Sequence, residues 1–215
     1  MSSATAISYG GKPQTKKREQ VSPPEKHRNT ESHMMKYSES EAATARSYNW
    51  GLLEAAKEML PDNTSLEVFD VSRFPLFAQD HERDPPAEVR LFKQKIRQSD
   101  AILFATPEHN YTITAVLKNA IEWANRPGGD NSWNGKPAAI VSASLGPRGG
   151  ARAQLHLRQI LVDLNMYAIS QPQLLLARAQ DAFDSDLKLK DPQTRETLKK
   201  ILETLASWTK KINSG

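Results

Sequence analysis

The stretch from Asp100 to Trp123, DAILFATPEHNYTITAVLKNAIEW, constrains the fold more than any other part of the chain. It begins with a short apolar run, Ala101–Ala105, of the kind that forms a strand covered on both faces of a parallel sheet. Pro107 cannot donate a hydrogen bond to a neighbouring strand, so we expect the strand to end before it. Apolar residues then recur at helical spacing, which predicts an amphipathic helix beginning near Thr112 or Thr114. The polar tip between the two elements falls at the carboxyl end of a parallel strand, where open α/β sheets bind ligands.

Further strands and helices are predicted to alternate along the rest of the chain. Apolar residues at helical spacing predict helices that begin near Ser47, Pro85, Ala151 and Asp191. Strands are predicted at Ser65–Val71, at Pro137–Ala143 and, bent at Pro172, over Tyr167–Ala177. This alternation predicts an α/β fold in which helices cover both faces of a doubly wound parallel sheet.

The first strand of that sheet is its least clear element. A flavodoxin-like, three-layer sheet of order 2-1-3-4-5 has five strands, and the apolar runs above supply four of them. The only candidate for the missing strand is His33–Ser38, which is half apolar, so we expect a poorly defined first strand. The domain itself is expected over residues 41–215, after a disordered or atypical extension over residues 1–40.

Composition narrows the function classes. The chain has 215 residues and a net charge of +4, but residues 1–40 hold seven of its basic and four of its acidic residues, leaving 22 basic against 21 acidic. The expected domain is therefore nearly neutral, which argues against a nucleic-acid partner. With no cysteine there are no disulfides and no thiolate chemistry. No apolar run approaches the roughly 18 residues of a membrane span, and no signal peptide is evident, so we expect a cytoplasmic protein without a membrane partner.

Three loops are predicted to open at one edge of the sheet, where together they can surround a planar ligand that carries a phosphate. One is a helix start, whose free N–H groups favour phosphate. Another is the polar tip described above, and the third is a glycine-rich loop that permits close backbone approach. The candidate ligand-binding residues are Ser47, Asn49, Thr106, Pro107, Glu108, His109, Asn110, Ser144, Gly146 and Gly149, with Arg148 as the candidate for an anionic substrate or cofactor.

Plainer interpretations remain open for each loop. The polar residues at the helix start form a simple cap, the tip is a well-satisfied surface turn, or the glycines only turn the chain into the next helix. Arg152, His156 and Arg158 are interpreted as surface or subunit-contact residues, and Trp123 and Trp208 as core residues. The sequence contains no G-x-S-x-G, P-loop or G-x-G-x-x-G motif and no His pair at metal-ligand spacing, so no metal site is predicted.

Two segments resemble signatures of a known family. Thr106–Trp123, T-P-E-H-N-Y-T-I-T-A-V-L-K-N-A-I-E-W, closely resembles the T-P-E-Y-N-x-S-I-P-G-x-L-K-N-A-I-D-W motif of NAD(P)H-dependent FMN reductases. Ser144–Gln159, S-L-G-P-R-G-G-A-R-A-Q-L-H-L-R-Q, is similar to the second signature of that family. The similarity runs from about Ser47 to the C-terminal helix. The family is flavodoxin-like and includes quinone, chromate and azo-dye reductases.

The resemblance implies an enzyme with tightly but noncovalently bound FMN. NAD(P)H would deliver hydride to FMN, and a small-molecule electron acceptor such as a quinone would then take the electrons; the flavin carries the chemistry, so no catalytic side chain is predicted. By analogy, Ser47 and Asn49 would belong to the phosphate loop, Pro107–Asn110 would meet the ring and ribityl region, and Ser144–Gly149 would line the isoalloxazine. A homodimer or homotetramer is implied, with the flavin near the subunit boundary.

The chain departs from the family mainly at the phosphate loop. The pattern G-S-x-R-x-x-S-x-N aligns with Glu41–Asn49, where only the final Ser and Asn remain in register, and Glu41 stands where backbone must approach phosphate. His109 replaces the usual Tyr, and Thr114-Ala115 replaces Pro-Gly. A second hypothesis therefore stays open: a non-enzymatic flavodoxin-like scaffold that has lost FMN binding through its altered phosphate loop.

Overall fold

The protein folds into a parallel sheet with helices on both faces, as seen in the computed structural model, which describes residues 32–38 and 47–214. The strands are β1 (Ser32–Ser38), β2 (Thr64–Asp70), β3 (Ala101–Ala105), β4 (Pro137–Ala143), β5 (Tyr167–Ala168) and β6 (Leu174–Leu176). The helices are α1 (Tyr48–Glu58), α2 (Ala87–Gln98), α3 (Ala115–Ala124), α4 (Ala151–Asp163) and α5 (Pro192–Asn213). Two short 3₁₀ turns, Gln79–His81 and Ala179–Asp181, lie in the connections.

Strand order in the sheet is 2-1-3-4-5, and β6 also pairs with β4. Every strand pair is parallel. The predicted flavodoxin-like fold is therefore confirmed, including a first strand over Ser32–Ser38 that pairs with both β2 and β3. This strand precedes residue 41, where the domain was expected to begin. The remainder of the expected extension, and the aligned phosphate-loop residues Glu41–Arg46, lie outside the described residues.

The two central apolar strands divide the core into two layers. Alternate side chains of a strand point to opposite faces of the sheet. Ile102 and Phe104 of β3 accordingly pack in one cluster, with α2, α3 and α4, whereas Leu103 packs in the other, with α1 and α5. All five residues of β3 and all seven of β4 are buried, which is why each reads as a continuous apolar run rather than an alternating one. Trp123 and Trp133, 2% and 0% exposed, fill the first layer.

The last predicted strand differs from the structure. Instead of one bent strand over Tyr167–Ala177, two short strands pair separately with β4, at Pro137–Ala138 and at Val141–Ala143. Pro172 lies between them and has no N–H with which to continue a ladder. Trp208 is also less buried than predicted: it is half-buried at the edge of the second layer, where its indole N–H donates to the Tyr167 carbonyl at 3.0 Å.

Helix starts follow the polar residues that precede them. Ser47, Thr114 and Asp191 each accept a hydrogen bond from a backbone N–H of the first turn, which satisfies a donor that the helix itself leaves unpaired. Because the sheet is parallel, the loops that follow β3 and β4 lie at the same edge as the start of α1. Among the described residues, no helix combines the length and apolarity that crossing a membrane requires.

Candidate functional site

The start of α1 is tied directly to the end of β4. The Asn49 side chain donates to the Ala143 carbonyl at 3.0 Å and accepts from the Ala143 N–H at 2.9 Å. Asn49 is only 2% exposed, and both the nitrogen and the oxygen of its side-chain amide are hydrogen-bonded within the protein. Asn49 was predicted to lie beside the phosphate. Its side chain instead holds the start of α1 in position and is not free to contact a ligand.

Ser47 caps α1, as one of the two interpretations of its position predicts. Its Oγ accepts from the Trp50 N–H at 3.1 Å, and the residue is 3% exposed. A capping side chain covers one of the four donors that a helix start leaves free, so donors of the same turn remain at the sheet edge together with the positive end of the helix dipole. Such a helix start favours an anion.

The loop after β3 begins buried and ends in an exposed turn. Thr106 is fully buried, donates its N–H to the Val141 carbonyl at 3.2 Å and its hydroxyl to the Pro107 carbonyl at 3.0 Å. His109 and Thr112 then exchange backbone hydrogen bonds of 3.0 and 2.9 Å around Asn110 and Tyr111, whose φ angles are +47° and +72°. The turn therefore presents the imidazole of His109 and the amide of Asn110 to solvent at the ligand edge.

Glu108, between the buried and exposed parts of this loop, faces α4. Its carboxylate accepts from the Arg152 backbone N–H at 3.0 Å and pairs with the Arg152 guanidinium, and its side chain is 7% exposed. Burial acts to raise the pKa of Glu108, but the hydrogen bonds and the charge of Arg152 outweigh burial, so the pKa lies below its ordinary value. The carboxylate is thus ionised and fully engaged, which leaves the backbone of Glu108, rather than its side chain, to meet a ligand.

The glycines of the loop after β4 have different roles. Gly149 adopts φ +58°, and a Cβ there would lie 2.4 Å from the Leu175 carbonyl oxygen, so this glycine lets the loop pass against β6. At Gly146 a Cβ would meet only the Ser144 hydroxyl, at 3.5 Å. The same hydroxyl accepts from the Gly146 N–H at 3.1 Å, which fixes the start of the loop. Arg148 is exposed at its tip, and no described residue pairs with it.

Comparison with known proteins assigns the chain to a family. Residues 42–181, more than half of the chain, match the family model described as NADPH-dependent FMN reductase. The chain belongs to that family. The predicted resemblance is therefore confirmed, as are the enzyme class, an FMN-dependent NAD(P)H oxidoreductase, and the cofactors FMN and NAD(P)H.

Similar members of the FMN reductase family come from bacteria and plants. The chain is 43% identical over 167 residues to the NAD(P)H-dependent FMN reductase PA1204 of Pseudomonas aeruginosa, covering 77% of this chain and 90% of the relative. It is 44% identical over 176 residues to the probable NADPH:quinone oxidoreductase 1 of Oryza sativa, covering 77% and 87%. Among solved structures, the flavoenzyme NAD(P)H:(acceptor) oxidoreductase FerB of Paracoccus denitrificans superposes with a TM-score of 0.74 at 29% identity, over 84% of this chain and 98% of FerB.

The described half of the site fits the FMN that the family uses. The start of α1 offers backbone donors to a phosphate, while the exposed turn offers an imidazole and an amide to a heteroaromatic edge. At Gly146 the position of a Cβ is free apart from the Ser144 hydroxyl, so the backbone there has no side chain to keep a ligand away. The imidazole and amide are polar groups of the kind that suit the edge of a flavin ring, and the carboxylate of Glu108 is paired with Arg152. The fit at Glu41–Arg46 lies outside the described residues.

Two residues of α4 that were interpreted as surface or subunit-contact residues touch the loop after β3. Arg152 pairs with Glu108, and the His156 imidazole shares a 2.9 Å hydrogen bond with the Thr112 hydroxyl. Arg158, by contrast, donates to the Ile169 carbonyl at 2.8 Å and so joins α4 to the segment after β5. The signal that could have identified Arg152 is its charge at the start of the helix after β4, since the adjacent loop after β3 carries a carboxylate.

Proposed function

We propose that the protein uses FMN to reduce small quinones with electrons from NAD(P)H. The observation that carries the proposal is the convergence of the three predicted loops at one sheet edge, through the hydrogen bonds of Asn49 to Ala143 and of Glu108 to Arg152. The choice of acceptor is supported by relatives whose names specify quinones, among them the quinone reductase of Pseudomonas putida, 40% identical over 165 residues. FMN, when bound, supplies the chemistry by accepting hydride and passing electrons on.

The protein's own residues bind and orient in this proposal. The first turn of α1, behind the Ser47 cap, would hold the phosphate. The backbone from Thr106 to Asn110 would lie along the ring and ribityl region, with His109 and Asn110 exposed toward the ligand. The backbone from Ser144 to Gly149 would line the isoalloxazine, where Gly146 leaves room for close approach. Arg148, exposed at the loop tip, would meet an anionic part of a substrate.

The deciding experiment is a flavin and turnover test on the purified protein. We expect either flavin absorbance as isolated or saturable binding of added FMN, followed by NADH or NADPH oxidation that depends on a quinone such as benzoquinone. Running both nicotinamides separates their kcat/KM values. A colourless protein that neither binds added FMN nor oxidises either nicotinamide would refute the proposal. That outcome would favour the scaffold hypothesis, in which the altered phosphate loop has lost the cofactor.

A homo-oligomer is part of the same proposal, and α4 offers the surface that supports it. Leu155 and Val162 are 60% and 79% exposed, and they lie seven residues apart, on one stripe of the helix. An antiparallel pairing of two copies of α4 about a two-fold axis would therefore bury the apolar stripe of one copy against that of the other.

Val162→Glu tests this surface. We expect light scattering to show a dimer or tetramer for the native chain. Because the substitution would place a charge within a self-complementary apolar contact, we expect the variant to shift toward monomer at micromolar concentration. Leu76→Glu is a matched control, since Leu76 is 83% exposed on the connection after β2. A native chain that is already monomeric, or a Val162→Glu variant of unchanged mass, would contradict the assignment.

A further inference from the structure

The turn between His109 and Thr112 has a strained backbone, which contacts with other parts of the protein must stabilise. Asn110 and Tyr111 both have positive φ, +47° and +72°. Asparagine tolerates this left-handed region, but an aromatic residue is rarely found there, because its Cβ crowds the adjacent carbonyl. Positive φ at both central positions is the geometry of a type I′ turn, which glycine and asparagine normally occupy. A strained turn of this kind persists only where its surroundings impose it, and such turns cluster at ligand sites.

Arg152 contacts the loop at two places, just before the turn and within it. Its guanidinium pairs with the carboxylate of Glu108, just before the turn. The same guanidinium lies over the ring of Tyr111, with 3.4 Å between its central carbon and the ring centroid. Stacking on the ring and pairing with a carboxylate at the same time uses the planar, delocalised shape of arginine, which lysine does not have. One side chain therefore joins the chain before the turn to the aromatic residue within it.

α4 supplies a second contact with the same turn. His156 is four residues after Arg152, so both side chains lie on one face of the helix, and its imidazole is 2.9 Å from the Thr112 hydroxyl. Tyr111 as a whole nevertheless remains 65% exposed, although Arg152 lies over its ring. The ordered turn thus stands at the ligand edge with its outer side accessible.

We propose that Arg152 is a positioning residue for the flavin site, holding the turn from His109 to Thr112 in its bound shape before any cofactor arrives. The role rests on the proposed function, because what it prepares is the edge that would meet FMN. It also explains why the carboxylate of Glu108 turns away from the ligand: the pairing with Arg152 orients the backbone that follows. Preorganisation of this kind lowers the ordering cost of binding and so strengthens affinity without any direct contact.

The test compares Arg152→Ala with Arg195→Ala. Arg195 forms the matched control, since it also pairs with a glutamate of another element, Glu58 at 3.3 Å, but far from the ligand edge, at the end of α1. For Arg152→Ala we expect the FMN Kd to rise about tenfold and the peptides over residues 106–114 to exchange amide hydrogen faster in the FMN-free protein. For Arg195→Ala neither quantity should change. Arg152→Lys should fall between Arg152→Ala and the native chain, because it restores charge but not the stacked, forked contact.

Each outcome decides the proposal. Faster exchange at residues 106–114 together with a raised FMN Kd supports it, whereas an FMN Kd equal to that of Arg195→Ala overturns it, even if the melting temperature falls. If Arg152→Ala does not fold, the same comparison is made with Arg152→Lys, where native exchange and native affinity would overturn the proposal. If the native chain itself fails to bind FMN, the proposed function fails on its own, and the exchange measurement still decides whether Arg152 holds the turn.

Discussion

Replacing Asn49 with alanine tests the most direct connection between two loops of the site. The Asn49 amide makes two hydrogen bonds to the backbone of Ala143, 94 positions away, and joins the start of α1 to the end of β4. Alanine is a good helix former, so the substitution leaves α1 itself intact. What it removes is the attachment of the helix start to the sheet edge.

The expected cost follows from the burial of both bonds. Each net hydrogen bond contributes about 0.5–1.5 kcal/mol, and a buried partner left unsatisfied costs about 1–3 kcal/mol. The substitution removes both bonds and leaves the N–H and C=O of Ala143 without them, in a site where Asn49 is 2% exposed. We therefore expect the free energy of unfolding to fall by about 3 kcal/mol, which for a domain of this size lowers Tm by about 6–12 °C. Water entering the vacated space would bring the value toward the lower end.

The assay combines thermal or urea unfolding with FMN titration. Asn119→Ala is the matched control: Asn119 on α3 likewise accepts from a backbone N–H, that of Phe77 at 2.7 Å, and donates to a carbonyl, that of Pro75 at 2.9 Å, outside the predicted flavin site. Both variants should be destabilised, but only Asn49→Ala should raise the FMN Kd, about tenfold, because it frees the helix start that would hold the phosphate. An unchanged Tm would refute the structural role of the amide, and an FMN Kd equal to that of Asn119→Ala would refute the phosphate role of α1.

Two further predictions concern a helix cap and two glycines. Hydrogen bonds from the Thr194 hydroxyl and N–H lower the pKa of Asp191, so the contribution of this cap to stability is present above the carboxyl's unfolded pKa and is lost as pH falls through the lower folded pKa. Asp191→Ala should therefore lower the free energy of unfolding by about 1 kcal/mol at neutral pH and by much less in acid. Urea unfolding measures both values, and an equal loss at the two pH values would contradict the prediction. Gly149→Ala should destabilise the fold by about 1–3 kcal/mol, because the φ of Gly149 is +58° and an added Cβ would meet backbone. Gly146→Ala should instead weaken FMN binding with little change in Tm. A large fall in Tm for Gly146→Ala and weakened FMN binding alone for Gly149→Ala would show that the two roles are exchanged.

The central strands could be predicted from the sequence because each is buried on both faces. The bounds of β3 and β4 were predicted correctly at both ends. Such strands are continuous apolar runs, and the chain marks their ends with a proline or with turn residues. β1 was recognised only because the topology required one more strand, since His33–Ser38 lacks a continuous apolar run. Its place depends on pairing with β2 and β3 on either side, which local periodicity does not report.

The contacts within the site could not be predicted, because they join residues far apart in the chain. Arg152 and Glu108 are separated by 44 positions, and their meeting depends on how the loops after β3 and β4 lie side by side. The direction of a side chain at a loop also has no sequence period, unlike a residue on a helix or a strand. A pattern of charges can therefore identify Glu108 as important without showing whether its carboxylate meets a ligand or another part of the protein.

This distinction divides the polar residues of the site into two groups. Asn49 and Glu108 resemble ligand groups by residue type, yet both are engaged within the protein and each joins two loops. His109, Asn110 and Arg148 are exposed at the same edge. A buried polar side chain costs free energy unless it is hydrogen-bonded. The two residues of the first group meet this requirement by joining loops of the site, and they do so without a cofactor. The second group is accessible from solvent at this edge, so we expect substitutions of these residues to change the specificity for nicotinamide and acceptor.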